Sequence, residues 1–258
     1  MDDLKEHIAG CCRQLRLSSN LADRAMTTEG ASHQEYLYNL LSSEVTNRRE
    51  ARIEKYLNTA GFPRRYEAEQ FRADEVDFPT GVTFQSLLNL DFFEAGKNVL
   101  MYGGTGTGKT MLSILIGMSA CNQGIPVRFY RTAALINLLS ESKTTGTLTR
   151  ILNRLDKAGI LILDEFGYVP YDRTGSQVLF DYLSEIHEKK PVILNTNLEF
   201  SQWVNVLYDQ RMTTALIGRL THHVELILFP GGNNRLRESS INEAFSRMEA
   251  NASEVADA

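Results

Sequence analysis

The stretch GGTGTGKT, residues Gly103–Thr110, constrains the fold of this chain more than any other sequence feature. It follows the apolar run NVLMY and precedes MLSILIGMSACNQG, whose apolar residues recur at helical spacing. The pattern GxxxxGK[ST] between a strand and a helix predicts a phosphate-binding loop, because glycines let backbone N–H groups surround phosphate oxygens. The chain is therefore expected to bring a strand end, a tight turn and a helix start around one anion.

From Asn98 onward, short apolar runs alternate with longer segments of helical period. The runs are NVLMY, VRFYR, GILILDE, PVILNTN and HVELILF. Such alternation predicts an α/β fold of the P-loop NTPase type, with a parallel sheet and helices on both of its faces.

The segment before this region has a different pattern. LKEHIAGCCRQLRL and YLYNLLSSEVTNRREARIEKYL carry apolar residues at three- and four-residue spacing and predict helices, whereas RRYEAEQFRADEVDFPTGV predicts an irregular connector. We expect a small all-helical domain over residues 1–60 that docks a protein partner or a sister subunit. The connector and the start of the core follow over 61–97, the nucleotide-binding domain over 98–240, and a polar, partly disordered tail over 241–258.

Charge and cysteine content indicate in which compartment the chain is expected. The net charge is −5, and the three cysteines, Cys11, Cys12 and Cys121, form neither a CxxC pair nor a disulfide framework. No apolar run approaches the roughly 20 residues of a membrane span, and the amino terminus has no signal-peptide core. A cytoplasmic protein without membrane contact is expected.

The loop and the acidic pair after GILIL predict an ATP–Mg²⁺ site. Lys109 is expected to reach the β- and γ-phosphates, and Thr110 and Asp164 to hold Mg²⁺. Glu165 is placed to take a proton from an attacking water, which favours an ATPase over a small-molecule kinase and over a non-hydrolysing scaffold. The residues expected to bind the cofactor are Gly103, Gly104, Thr105, Gly106, Thr107, Gly108, Lys109, Thr110, Met111 and Asp164.

The fourth predicted strand ends in two asparagines, Asn195 and Asn197. An amide beside the γ-phosphate orients an attacking water, although asparagines after a strand are also common turn residues. The residues alone leave both positions open.

Three longer stretches add a family resemblance: DEFGYVPYDRTGSQVLFDYLSEIHE, TNLEFSQWVNVLYDQ and ALIGRLTHH. With the order of loop, acidic pair and later arginine, they resemble the IstB-like ATPases of the AAA+ class. These are helpers of bacterial insertion-sequence transposases, related to the DnaC helicase loader and the DnaA initiator. The resemblance implies an ATPase that oligomerises on double-stranded DNA, with DNA- and oligomer-stimulated hydrolysis, and that targets a partner transposase in DNA transposition. A helicase loader of the DnaC type is the alternative.

The same resemblance assigns two further catalytic residues. Asn197 matches the family's sensor asparagine, and Arg219 matches the arginine ahead of its histidine-containing segment. An arginine in this role neutralises charge on the γ-phosphate, commonly from a neighbouring subunit, whereas an ordinary salt bridge at a helix end is the alternative. The residues after Arg219 leave no room for a full helical lid, so the nucleotide is expected to be covered by the next subunit. Whether Arg235 or Arg237 contacts nucleotide is left open.

His222 and His223 are expected to be structural residues. Adjacent side chains point in different directions, so the pair cannot easily share one metal ion. We expect no cysteine or acidic residue to stand near enough to complete a ligand set with them.

A candidate DNA-binding segment covers residues 128–157, which contain six basic and two acidic residues. It includes KTTGTLTR, which we expect to be a flexible polar turn whose hydroxyls reach phosphates. Contacts to the DNA backbone are expected because no base-reading motif is found, and a solvated helix face is the alternative. The candidate residues are Arg128, Arg131, Lys143, Arg150 and Arg154.

Overall fold

The computed structural model describes residues 2–167, 173–203 and 210–232. The chain divides into two compact units, residues 1–56 and 57–258. Within the described ranges, no helix combines the length and the apolar character that a membrane crossing requires.

The first unit is helical, as its periodicity predicts. It contains α1 (Asp2–Gln14), α2 (Leu21–Ala25) and most of α3 (His33–Ala60). The predicted first helix extends three residues past the observed end, because α1 stops before Arg16, whose φ is +54°. Within this unit, Glu44 of α3 is buried and accepts hydrogen bonds from Ser18, Arg24 and Arg48.

The connector is largely irregular, as expected. It holds two 3-10 turns, Ala68–Gln70 and Ala73–Glu75, and then the short helices α4 (Phe84–Leu88) and α5 (Asp91–Glu94). Asp77 forms an antiparallel bridge with Leu228, with N–H···O distances of 2.9 and 3.1 Å. The connector therefore runs beside the last strand of the sheet.

All five strands lie where the apolar runs predict them. They are β1 (Asn98–Gly103), β2 (Val127–Arg131), β3 (Ile160–Phe166), β4 (Val192–Thr196) and β5 (Val224–Phe229). Every pairing is parallel, and the order across the sheet is β2-β3-β4-β1-β5. The carboxyl ends of the strands consequently lie along one edge, which is where phosphate-loop proteins bind ligands.

Helices cover both faces of the sheet, as predicted. They are α6 (Lys109–Asn122), α7 (Thr132–Thr144), α8 (Leu148–Asp156), α9 (Arg173–Ile186) and α10 (Gln210–Thr221). Leu100, Leu163 and Leu194 belong to one buried cluster with side chains of α7 to α10. Ile162 points the other way and meets α6 at Gly117.

Candidate nucleotide site

The phosphate loop leaves β1 at Gly103 and enters α6 at Lys109. Gly103 has no space for a side chain, since a Cβ there would lie 2.4 Å from the carbonyl oxygen of Phe229. Gly108 precedes α6 with φ +107°, a backbone conformation that other residues rarely adopt. Two glycines of the motif are thus required by the backbone, and the loop stays open to an anion at the helix start.

Lys109 turns its ammonium group back into the loop. Its Nζ donates hydrogen bonds to the carbonyl oxygens of Gly103, at 2.7 Å, and of Gly104. Thr107 Oγ1 donates to the same Gly104 carbonyl at 2.9 Å, and Gly104 and Thr105 are exposed. The Lys109 ammonium group therefore lies inside a loop whose outer residues are exposed, as binding of the nucleotide phosphates requires.

Thr110 and Asp164 lie side by side near the end of β3. Thr110 Oγ1 is 3.0 and 3.1 Å from the two carboxylate oxygens of Asp164, which is almost fully buried. A hydroxyl and a carboxylate are hard oxygen ligands of the kind that Mg²⁺ prefers, together with water and phosphate oxygens. The residues present fit a magnesium site at the mouth of the loop.

Asn195 holds the Asp164 carboxylate. It is 1% exposed, and its Nδ2 donates to Asp164 Oδ1 at 2.7 Å and to Ser113 Oγ at 3.0 Å. Ser113 Oγ in turn donates to the Thr110 carbonyl, one helical turn earlier. Asn197 lies past the end of β4 and is exposed. Of the two candidate asparagines, Asn195 thus contacts the Asp164 carboxylate, and Asn197 faces solvent.

Glu165 points away from Asp164 although the two are adjacent. Its φ is +56°, and the β3–β4 register is interrupted between Leu163 and Phe166. This bulge leaves Asp164 buried and the Glu165 side chain 45% exposed. Arg131 Nε, at the end of neighbouring β2, lies 3.6 Å from Glu165 Oε2. Non-glycine residues with positive φ concentrate at functional sites, which fits the catalytic assignment of Glu165.

A cavity of about 380 Å³ lies beside the loop. Residues 106–111 form one wall, and connector residues that the sequence reasoning did not select form the other: Arg64, Tyr66, Gln70, Phe71 and Arg72. Phe71 stacks on Phe84 with ring centroids 5.0 Å apart, and the Arg64 guanidinium lies 4.1 Å from the Tyr66 ring centroid. An aromatic wall beside a phosphate site suits a planar base. The signal in the sequence was the aromatic residues of an otherwise polar connector.

Arg219 lies at the other end of the sheet from this loop. Its helix α10 ends just before β5 begins, and Asn98, the first residue of β1, donates to the carbonyl of Leu220 at 3.2 Å. Gly103 is the last of the six residues of β1, so the loop starts about 17 Å away along the strand, at roughly 3.3 Å per residue. Arg219 is therefore remote from the phosphate loop of its own chain.

The Arg219 side chain is only partly satisfied. Its guanidinium lies 5.6 Å from the Phe180 ring centroid, and its Nη1 is buried without a hydrogen-bond partner among the described residues. The salt bridge considered as the alternative role is not found in that part of the chain. Arg235 and Arg237, and the tail on which the expectation of a missing lid depends, lie outside the described residues.

The basic segment occupies the edge strand β2 and the two helices that follow. Arg131, Lys143, Arg150 and Arg154 are exposed. Arg128 is half-buried, and burial together with the nearby charge of Arg154 lowers the pKa of its guanidinium. The expectation that KTTGTLTR forms a flexible turn is wrong for most of its length, since only residues 145–147 lie outside α7 and α8. Burial of Ile151 and Leu155 in the core keeps the α8 part helical.

The histidine pair also needs a correction. His222 Nδ1 lies 3.6 Å from Glu188 Oε1, so an acidic group does stand near it in the fold. His187 lies in the same cluster, and His223 does not belong to it. These neighbours come from the end of α9, which the sequence order could not reveal.

The parallel sheet, the glycine loop and the hydroxyl–carboxylate pair together define a phosphate-loop nucleotide-binding protein. The chain belongs to the IstB-like ATP binding protein family, whose sequence profile matches residues 13–242. This confirms the family resemblance of the sequence motifs.

Individual relatives extend over most of the chain. The chain is 30% identical to the ATP-binding protein assigned to insertion sequence IS5376 of Geobacillus stearothermophilus, over 93% of this chain and 98% of that protein. It is 33% identical to the one assigned to IS21 of Pseudomonas aeruginosa, over 80% and 78%. Among solved structures, the DnaC helicase loader superposes with a TM-score of 0.48 at 20% identity, covering 68% of this chain and 98% of that one. DnaA of Aquifex aeolicus gives 0.48 at 20% identity, covering 57% and 44%.

Proposed function

We propose that the chain is a Mg²⁺-dependent ATPase that assembles head to tail on double-stranded DNA and stimulates a partner transposase. The observation that carries the ATPase assignment is the contact of Thr110 with Asp164, followed at once by an outward-facing Glu165. A site for binding alone needs no second, exposed carboxylate next to the first.

Hydrolysis needs a charge partner for the phosphates and a base for water. Lys109 exchanges its loop carbonyls for oxygens of the β- and γ-phosphates. Glu165 takes a proton from water while the water oxygen attacks the γ-phosphorus, and the bond to the bridging oxygen breaks. Asn197 orients that water from the exit of β4. ADP and inorganic phosphate are the products.

Thr110 and Asp164 are the residues that would hold Mg²⁺. When bound, the ion neutralises charge on the phosphate oxygens. Asn195 fixes the rotamer of Asp164 through its 2.7 Å hydrogen bond, so that the carboxylate faces Thr110. The position of the acidic ligand is therefore determined before nucleotide arrives.

Arg219 acts on the ATP of a neighbouring subunit in this proposal. Two observations support it: the distance of Arg219 from its own loop, and its buried Nη1, which has no hydrogen-bond partner among the described residues. A buried donor of this kind costs roughly 1–3 kcal/mol until an acceptor is supplied. Phosphate oxygens of an adjoining subunit are such acceptors once the side chain turns outward, and guanidinium groups suit them well. This geometry requires head-to-tail contacts.

The basic segment on β2, α7 and α8 is our candidate surface for DNA. Four of its five candidate cations are exposed, and Arg128 Nη1 is a buried donor without a partner among the described residues. Phosphate groups can accept hydrogen bonds from the exposed cations and from Arg128 without any base-specific contact. Binding should therefore be strong at low salt and weakly dependent on sequence.

The transposase is proposed as the partner because the relatives belong to insertion sequences. The helical unit offers a surface for a protein, since Leu37, Leu41 and Val45 of α3 are exposed at four-residue spacing. Apolar side chains in such a row commonly mark a protein-binding face. A reading frame for a transposase beside that of this chain would support this partner, whereas a replicative helicase frame would favour the loader function.

The test is ATP hydrolysis with and without duplex DNA, and with and without the transposase of the same element. We expect DNA to raise turnover and the ATP-bound protein to raise strand transfer by the transposase. Lys109→Ala should lose ATP binding, whereas Glu165→Gln should retain ATP and stop turnover. Wild-type turnover by Glu165→Gln would show that another group is the base.

A further inference from the structure

Three side chains of types that commonly ligate metals lie close together at the edge of the sheet where the strands begin, far from the nucleotide site. His187 and Glu188 directly follow α9, and His222 directly follows α10. One nitrogen or oxygen atom of each lies within 4.8 Å of the others. We propose that His187, Glu188 and His222 form a site for a divalent transition-metal ion of the Zn²⁺ class.

The distances within this cluster approach those of a tetrahedral site. Glu188 Oε1 lies 3.7 Å from His187 Nε2 and 3.6 Å from His222 Nδ1. Ligand atoms about 2.0–2.1 Å from a tetrahedral zinc ion are about 3.4 Å apart. The Glu188 and His222 side chains are 64% and 58% exposed, so small rotations suffice to close the set. Their exposure also leaves a fourth position for water.

The donor atoms select the class of ion. Two imidazole nitrogens with one carboxylate oxygen suit zinc and its neighbours in the first transition row. Mg²⁺ instead prefers oxygen ligands, such as those of Thr110 and Asp164. The two sites of this chain should therefore take different ions.

The backbone at Glu188 directs its carboxylate towards the two histidines. Its φ is +63°, in the left-handed region that non-glycine residues seldom occupy. This turn brings one carboxylate within reach of both imidazoles. Helices commonly end in a left-handed residue, and Glu188 lies two residues past the end of α9. The end of the helix therefore sets the position of this carboxylate.

A bound ion would tie the end of α9 to the end of α10. Arg219 is in the last turn of α10, and its guanidinium lies over Phe180 of α9. The ion would therefore limit the motion of the helix that carries Arg219. This consequence concerns a helix pair of a single chain and does not depend on ATP hydrolysis.

The experiment uses the full chain without an affinity tag, stripped with a chelator and kept free of nucleotide. Cys11 is an exposed free thiol that also binds zinc, so all proteins carry Cys11→Ser. Calorimetric titration with ZnCl₂ should show one site, and the absorption spectrum of added Co²⁺ should report tetrahedral coordination. His222→Ala and Glu188→Gln should each weaken binding by more than the roughly 10–100-fold that loss of an outer-shell partner costs.

His223→Ala is the matched control, because His223 is an exposed neighbour outside the cluster. It should bind Zn²⁺ like the parent protein. Amide hydrogen exchange over residues 216–223 should slow on Zn²⁺ addition in the parent and in His223→Ala, and not in His222→Ala. Circular dichroism without metal checks that each variant is folded, and Glu188→Gln keeps the test decisive if a histidine variant is not. Zinc binding that survives both ligand substitutions, octahedral Co²⁺ or no binding would overturn the proposal.

Discussion

Arg131 Nε lies 3.6 Å from Glu165 Oε2 and joins the ends of the neighbouring strands β2 and β3. Arg131 belongs to the surface that we assign to DNA, and Glu165 is the proposed base for hydrolysis. One ion pair thus connects the two sites. A DNA phosphate that engages Arg131 would compete with Glu165 for the guanidinium and remove this ion pair from the carboxylate.

Arg131→Ala should therefore raise ATP turnover without DNA and reduce the stimulation by DNA. The pair is exposed, and such pairs contribute roughly 0.2–1 kcal/mol, so turnover should rise at most about fivefold. Arg131→Lys keeps the positive charge and should behave more like the wild type. Steady-state hydrolysis across a DNA titration measures both effects. Equal basal rates in wild type and Arg131→Ala would show that the contact does not restrain Glu165.

Substitution of the two asparagines should separate binding from turnover. Asn195→Ala removes the donor that holds Asp164, which should weaken Mg²⁺-dependent ATP binding and lower the free energy of unfolding by about 1–3 kcal/mol. Asn197→Ala changes an exposed residue and should lower kcat without affecting ATP affinity. Nucleotide titrations, chemical denaturation and kinetics distinguish the two. A normal kcat in Asn197→Ala would remove Asn197 from the mechanism.

Arg219→Ala should bind ATP normally and lose turnover by roughly 10³–10⁵-fold, the usual effect of removing an arginine finger. Mixing it with Glu165→Gln should restore part of the activity, because some interfaces then pair an intact Glu165 with an intact Arg219. The ATPase assay should include DNA, so that mixed assemblies form. Absence of recovery in assemblies shown to contain both variants would leave Arg219 as a structural residue.

Replacing Arg128, Arg131 and Lys143 together by alanine should weaken DNA binding to a similar extent on unrelated sequences. Each lost phosphate contact should reduce the slope of log K against log salt by about 0.9. Arg173→Ala with Lys189→Ala, which removes exposed cations outside the segment, is the control. Fluorescence anisotropy at several salt concentrations gives the slope. An unaltered slope in the triple variant would exclude this surface.

Glu44 should make the stability of the helical unit depend on acid pH. Burial alone raises the pKa of its carboxyl, but hydrogen bonds from Ser18, Arg48 and Arg24 outweigh burial and lower it from 4.5 to about 2. A depressed pKa stabilises the fold fully above about pH 4.5, and this stabilisation is lost as the pH falls towards 2.

Glu44→Gln should therefore destabilise residues 1–56 at neutral pH, and its difference from wild type should shrink between pH 4.5 and 2. Hydrogen exchange in α2 and α3 of the intact chain reports on this unit separately. A difference that stays constant with pH would mean that the charge of Glu44 is not what stabilises the unit.

The strands and the phosphate loop were predictable because their signals are local. Each strand is a short apolar run, and the loop needs glycines at fixed spacing between a strand and a helix. The Thr110–Asp164 contact followed from these, since a strand that runs parallel to β1 ends at the same edge of the sheet.

Contacts set by tertiary packing were not predictable. Asn195 reaches Asp164 only because β4 pairs with β3 in the observed register, in which Leu194 faces Leu163. The aromatic connector wall depends on a chain path along β5 that no periodicity encodes. The His187–Glu188–His222 cluster arises where two helices end together, so reasoning from sequence neighbours missed it.

The separation of Arg219 and Gly103 along β1 makes a subunit directional, and any linear assembly built from it has two unlike ends. In the head-to-tail assembly that we propose, an arginine meets no nucleotide at one end, and a nucleotide meets no arginine at the other. An open spiral then has one fewer complete site than it has subunits, whereas a closed ring completes them all. The ATP at the incomplete site would be hydrolysed more slowly than the others. A protein that supplies the missing guanidinium could therefore recognise that end of the spiral by its bound ATP.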